Sequence, residues 1–140
     1  MKRIIVIGLF IAVLVATGVY LYVFHKPART ASKEKAQYSV SVKELVAAFE
    51  TDENAANAKY LNKVIKVNGI IGNISESENE ISVGLKDPDE MAGVTCSFDK
   101  DEFDKSKLIP GQRVFIKGIC SGYLMDVILN KCALDVEAEK

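Results

Sequence analysis

The sequence predicts a mainly β domain, a small five-stranded barrel or strongly curled sheet, behind one membrane-spanning helix. Three observations carry this. Short β-branched runs recur around residues 64–74, 80–86, 93–99, 113–120 and 126–134, separated by turn residues. A single stretch of helical periodicity, 42–60, precedes them. The chain opens on an uncharged apolar run from Ile4 to Phe24.

At about 1.5 Å per residue, that run matches a hydrocarbon core of roughly 30 Å. Tyr20 and Tyr22 lie near one end, as interfacial aromatics do, and Lys2, Arg3, Lys26 and Arg29 flank it. The competing reading of residues 1–25 is a cleaved signal peptide. The run is longer than the usual apolar stretch of such peptides, and no A-x-A site follows. No cysteine follows either, which excludes a lipoprotein signal, so an uncleaved anchor is expected. Lys2 and Arg3 favour an inside N-terminus, while Lys26, Arg29, Lys33 and Lys35 pull the other way. The short leading segment favours N-in and C-out, with the domain outside a bacterial cytoplasmic membrane.

Residues 26–39 read as a flexible, lysine-rich spacer, and the folded domain is expected over 40–137. Ser41-Val-Lys-Glu44 is a capping box, with Val40 and Leu45 where a hydrophobic staple belongs. Leu45, Phe49, Ala56 and Tyr60 recur at helical spacing, so 42–60 is expected to be one amphipathic helix. Glu50, Asp52 and Glu53 then form a solvated face.

Asn68-Gly69 is a strong hairpin signal. Yet the alternation Ile65, Val67, Gly69, Ile71 passes straight through it, so one long bent strand is expected. Glu76–Glu80 is the turn into the second strand, and Asp87-Pro-Asp-Glu90 breaks the chain before the third. Asp99–Lys107 is a short helix or loop. Pro110-Gly111 turns into the fourth strand, and Ser121–Met125 leads into the fifth. No internal repeat appears.

These residues carry a resemblance. Leu45, Phe49 and Asn54-Ala-Ala56 lie on the helix, and Tyr60-Leu-Asn-Lys63 leads into Val64-x-x-Val67-x-Gly69. Then come Val94-x-Cys96-x-Phe98, Gly111-Gln-Arg-Val114-x-Ile-Lys-Gly118 and Cys120-x-Gly122-Tyr-Leu-x-Asp126-Val. The pattern, over roughly 40–136, resembles the tRNA anti-like family of bacterial OB-fold proteins, often carried behind an anchor or signal. The resemblance implies a five-stranded OB-fold Greek-key barrel with the N-terminal amphipathic helix plugging its open end. It implies no particular activity.

The function classes narrow from composition. The first 29 residues hold four basic side chains and no acidic one. That leaves 14 Lys+Arg (18 less those 4) against 19 Asp+Glu in the rest, a net of −5. Such a surface repels phosphate backbones. Oligonucleotide-binding OB domains stack bases on aromatics in a basic groove, whereas the second strand has no aromatic and the third only Phe98. The sole histidine, His25, lies at the membrane edge, which removes histidine-based nucleophilic catalysis and histidine-ligated metal from the domain. No cofactor motif is present, no C-x-x-C suggests zinc, and neither acidic cluster, 87–90 or 99–104, fits an EF-hand.

Cys96, Cys120 and Cys132 read as small buried core residues, Cys132 sharing a face with Ile128 and Leu134. Outside the cytoplasm, Cys120 and Cys132 on neighbouring strands are the pair expected to form any disulfide. Tyr123 and Asp126 flank the loop between strands four and five, one of the ligand loops of this fold class. They are the candidate ligand-binding residues, as a stacking ring and a hydrogen-bond acceptor. Structurally, Asp126 would satisfy turn amides and Tyr123 would pack on the barrel. The reading that results is a non-enzymatic, anchored OB-fold module for a protein, peptide or saccharide. Single-stranded nucleic-acid binding on the cytoplasmic side is the alternative, and a carboxylate enzyme the third.

Overall fold

A computed structural model describes residues 1–24 and 30–135. His25, the start of the spacer and residues 136–137 of the expected domain lie outside the described residues. Helix α1, Lys2–Phe24, has a mean hydropathy of 2.8, buries no residue, and is long and apolar enough to cross a membrane.

The remainder is mainly β. The strands are β1 (Tyr38–Ser41), β2 (Val64–Glu76), β3 (Glu80–Lys86), β4 (Val94–Asp99), β5 (Arg113–Tyr123) and β6 (Val127–Leu134). Their order is β1-β2-β3-β4-β6-β5, and β2 pairs back onto β5, so β2 to β6 close a five-stranded barrel. This is the OB-fold arrangement, with β1 as an added edge strand.

β2 runs unbroken through Asn68-Gly69, as the alternation demands. Residues 64–70 pair with β5 and residues 70–76 with β3, so this one strand serves both halves of the barrel. The irregularity in its pairing falls between Ile71 and Asn73 rather than at Gly69. Gly69 matters for space: a Cβ there would lie 2.5 Å from Val42 Cγ2 and 3.2 Å from Leu85 Cβ.

The expected helix 42–60 is two helices, α2 (Val42–Thr51) and α3 (Glu53–Tyr60). Asp52 separates them with an extended backbone (φ −154°, ψ 93°). Its N–H donates to the Ala48 carbonyl, ending α2, and its carboxylate accepts from the Ala55 N–H, starting α3. Asp52 is exposed, as expected of the solvated face, and is also a double cap, which is what a short acidic side chain does best at a helix end. The capping box at the start of α2 is present: Ser41 N–H donates to Glu44 at 2.9 Å, and Glu44 N–H to Ser41 Oγ at 3.2 Å. Val42, Leu45, Val46 and Phe49 enter the barrel core, so α2 plugs one end. Phe49 packs on Tyr60 and Tyr123, with ring centroids 6.2 and 5.6 Å away.

The described part of the spacer is bound to the barrel, which corrects the expectation of a flexible 26–39. Ala31 is fully buried in a 3-10 turn, Ala31–Lys33. Lys117 Nζ donates to the Glu34 carbonyl, Gln37 N–H to the Val64 carbonyl, and β1 pairs parallel with β2 from Tyr38↔Ile65 to Ser41↔Asn68. The residues are polar in composition, but their backbone groups complete the open side of β2. Tyr38 adds an edge-on ring contact with Tyr60 at 5.2 Å.

The expected inward faces hold for β4 (Val94, Cys96, Phe98) and β5 (Val114, Ile116, Gly118, Cys120). In β6 they do not. Val127, Leu129 and Cys132 are buried, while Ile128 and Leu134 are only half-buried. Two successive outward residues, Asn130 and Lys131, interrupt the alternation, and Lys131 adopts φ +52°. A bulge of this kind shifts the phase by one residue, turning Cys132 onto the face of Leu129. β5 extends to Tyr123, so the connection to β6 is only Leu124–Asp126. The segment after β4 holds one 3-10 turn, Lys105–Lys107. Phe103 packs at 4.3 Å from the Phe98 ring, and Leu108 is buried, closing the other end of the barrel.

Candidate ligand-binding face

Strand alternation decides what the barrel shows to solvent. With Ile81, Val83 and Leu85 inside, β3 turns Glu80, Ser82, Gly84 and Lys86 outward. With Val94, Cys96 and Phe98 inside, β4 presents Thr95, Ser97 and Asp99. β6 adds Ile128, Asn130 and Lys131. The centre of this face is thus small hydroxyls and an amide, with the Asn73 side chain lying over Gly84 and no aromatic ring on its β3 and β4 rows.

The face does not continue evenly. β4 and β6 pair in parallel only from Val94↔Val127 to Cys96↔Leu129. Past that point the bulge carries β6 away from β4. Two adjoining clefts open there, sharing Asp99 and Lys131. One, of about 210 Å³, is lined among others by Glu102, Phe103, Lys107 and Leu134. The other, of about 380 Å³, is lined by Asn79, Glu80, Ser97, Phe98 and Asn130. Lys131 Nζ lies 3.8 Å from Asp99 Oδ2, a loose pair in which both groups keep contact with water. Asn130 Nδ2 donates to Ser121 Oγ at 2.7 Å.

The β2–β3 turn, whose Asn79 lines the second cleft, is fixed by charge. Glu76, at the end of β2, receives Lys100 Nζ at 2.6 Å and Lys105 Nζ at 2.8 Å. The hydrogen bond from Lys100, then that from Lys105, holds the Glu76 carboxyl down to about 2. The pair of contacts ties the β2–β3 turn to the segment after β4.

The two residues expected to bind ligand both make contacts within the fold. Tyr123 stacks on Phe49, the rings tilted by 24°, and so seats the α2 plug. Asp126 accepts from the Gly93 N–H at 2.9 Å and the Thr95 hydroxyl at 3.3 Å, pinning the β5–β6 connection to the loop before β4. Both take the packing and turn-satisfying roles that a loop of this type also offers. Beyond them, Leu124, Met125 and Met91 stand exposed at the loop tips.

Cys96, Cys120 and Cys132 are all buried free thiols. The expected Cys120–Cys132 pairing is not what the register provides. Cys120 faces Leu129 across β5–β6, and the residue beside Cys132 on β5 is Gly118, whose Cβ, if present, would lie 2.6 Å from Cys132 Sγ. The bulge at Lys131-Cys132, opposite Gly118, produces this offset. Among the described residues, no three His, Cys, Asp or Glu side chains gather to hold a metal ion.

Sequence reasoning missed Asn130, Lys131, Ser97 and the part of Asp99 in this face. The available signal was the polar pair Asn130-Lys131 within an otherwise alternating strand, which marks a bulge.

The closed barrel, its strand order and the helical plug define an OB-fold domain behind an apolar N-terminal helix. The chain belongs to the tRNA_anti-like family, which matches over residues 1–134. Among solved structures it is similar to a lipoprotein of Klebsiella pneumoniae subsp. pneumoniae MGH 78578, provisionally described as nucleic acid-binding. That match has 20% identity and a TM-score of 0.60, and covers 69% of this chain and 90% of that one. Weaker likenesses are to the Stn1-ten1 complex of S. pombe (20% identity, TM-score 0.41, 52% and 58% covered). An OBody bound to hen egg-white lysozyme gives 13% identity and a TM-score of 0.42, with 54% and 84% covered. None of the curated proteins compared with the chain matches it.

Proposed function

We propose that this chain is a membrane-anchored, non-catalytic binding module, held by α1 with its barrel outside a bacterial cytoplasmic membrane. Its outward β3–β4–β6 face and the two clefts take a protein, peptide or saccharide. One observation carries the choice of ligand class: the face offers the Ser97 hydroxyl and the Asn130 amide, groups that both donate and accept hydrogen bonds, with the Ser82 and Thr95 hydroxyl oxygens as further acceptors. Peptide amides and sugar hydroxyls need that two-way chemistry. Lys131 and Asp99 add one charge of each sign beside the apolar wall of Phe103 and Leu134.

Single-stranded nucleic acid is the second reading, favoured by the fold and by the description of the Klebsiella lipoprotein. The absence of rings on the β3 and β4 rows and the net acidic domain weigh against it.

Titration of the full chain in neutral-lipid nanodiscs against oligosaccharide and peptide arrays, and against oligothymidine at low salt, separates the readings. The expected result is peptide or saccharide binding that Ser97→Leu and Lys131→Glu each weaken at least tenfold, with no oligothymidine binding. Oligothymidine binding that fades with added salt would overturn the proposal.

A further inference from the structure

All three cysteines lie in the core, and the bulge in β6 gives one of them an unexpected neighbour. Cys132 turns inward three residues after Leu129, where an undisturbed strand would turn it outward. Its thiol donates to the Leu129 carbonyl at 3.3 Å. Leu129 is the residue directly opposite Cys96 in the β4–β6 ladder, and strands in such a ladder lie about 4.8 Å apart. The Cys132 sulfur therefore sits beside Cys96, just where the ladder ends. Gly118 leaves the room: any Cβ there would meet the Cys132 sulfur at 2.6 Å and Leu129 Cβ at 2.8 Å. Lys131 holds the left-handed backbone that makes the turn, a conformation costly for a side chain of its kind. An αL lysine, a glycine gap and a ladder that stops at Cys96 converge on one pair of sulfurs.

We propose that Cys96 and Cys132 form a disulfide across the β4–β6 seam when the domain folds in an oxidising compartment. The inference rests on the extracytoplasmic reading above only for where the bond forms, not for which sulfurs join. Two thiols lose two protons and two electrons and gain an S–S bond. The electrons pass to the active-site disulfide of a thiol–disulfide exchange protein, which leaves as a dithiol. Burial pushes the Cys132 thiol well up, with Cys96 beside it adding to the effect, so attack from the closed barrel is slow. The bond therefore forms before β6 seats fully against β4. Cys120 faces Leu129 and stays reduced.

The test uses the full chain in two arms. In the first, denatured, reduced protein is refolded in detergent with oxidised and reduced glutathione, alkylated, digested without reductant and mapped by mass spectrometry. The expected result is a Cys96–Cys132 cross-linked peptide, kept in Cys120→Ala and lost in Cys96→Ala and Cys132→Ala. Oxidised protein should also melt several degrees above the reduced form. Free Cys96 and Cys132 after refolding, or a link through Cys120, overturns the proposal. In the second arm, cells are lysed into alkylating agent and membranes are mapped directly. A link in glutathione with free thiols in cells supports the pairing and overturns the extracytoplasmic reading, so the two failures are distinct.

Discussion

At the scale of single residues, two side-chain positions make quantitative demands. Gly69 faces Val42 and Leu85 at distances no Cβ can share. Gly69→Val should cost about 1–3 kcal/mol through overpacking, read as a lower urea midpoint. A fully stable, folded Gly69→Val would refute the account of β2 as one strand packed beneath the α2 plug. Glu76 makes the second demand. Its folded pKa of about 2 lies below the ordinary 4.5. Its contribution is therefore complete above pH 4.5 and is lost as pH falls toward 2. Glu76→Gln should remove that part of the acid dependence. Because the pair is exposed, added salt should shrink the difference between wild type and variant, and an unchanged acid limb would show that the lysine contacts are idle in solution.

At the scale of elements, alternation and capping were legible and phase shifts were not. Ser41 and Glu44 announce a helix start because both reciprocal partners are visible at fixed spacing. The end of α2 at Thr51 was hidden because apolar spacing continues across Asp52, whose capping role depends on its backbone angles. β6 failed in the same way: Ile128, Cys132 and Leu134 share parity in sequence, yet Lys131 at φ +52° moves Cys132 to the other face. The face with its clefts was illegible for that reason, since it exists only where β4 and β6 part. Tyr123 and Asp126 flank the β5–β6 connection as the sequence suggests, but what each touches depends on α2 and on the loop before β4. The bulge itself is testable. Lys131→Gly should stabilise the domain by up to about 1 kcal/mol by removing the left-handed penalty, while Lys131→Val should destabilise it. Equal melting temperatures for the two would show that the strand takes another path.

At the scale of the whole molecule, the barrel, its strand order and the apolar leading helix were all legible. Five short runs with alternating faces leave few ways to hide their apolar sides, and the quoted motifs select the OB-fold among them. The described part of the spacer was not legible. Residues 30–41 are polar, and only the open edge of β2 explains why they are ordered. Composition reports solubility, whereas order here comes from backbone pairing with a partner distant in sequence.

The place of β6 between β4 and β5 has a consequence for how the chain is made. β6 is the last strand to leave the ribosome, and it is the one that joins β4 to β5. Until Val127–Leu129 emerge, β4 stands with one side unpaired and the ring cannot close. The apolar α1 emerges ahead of every barrel strand, long before that moment. Synthesis therefore delivers the hydrophobic helix early and the closing strand late, so the barrel forms in one final step after translation of the domain is nearly complete.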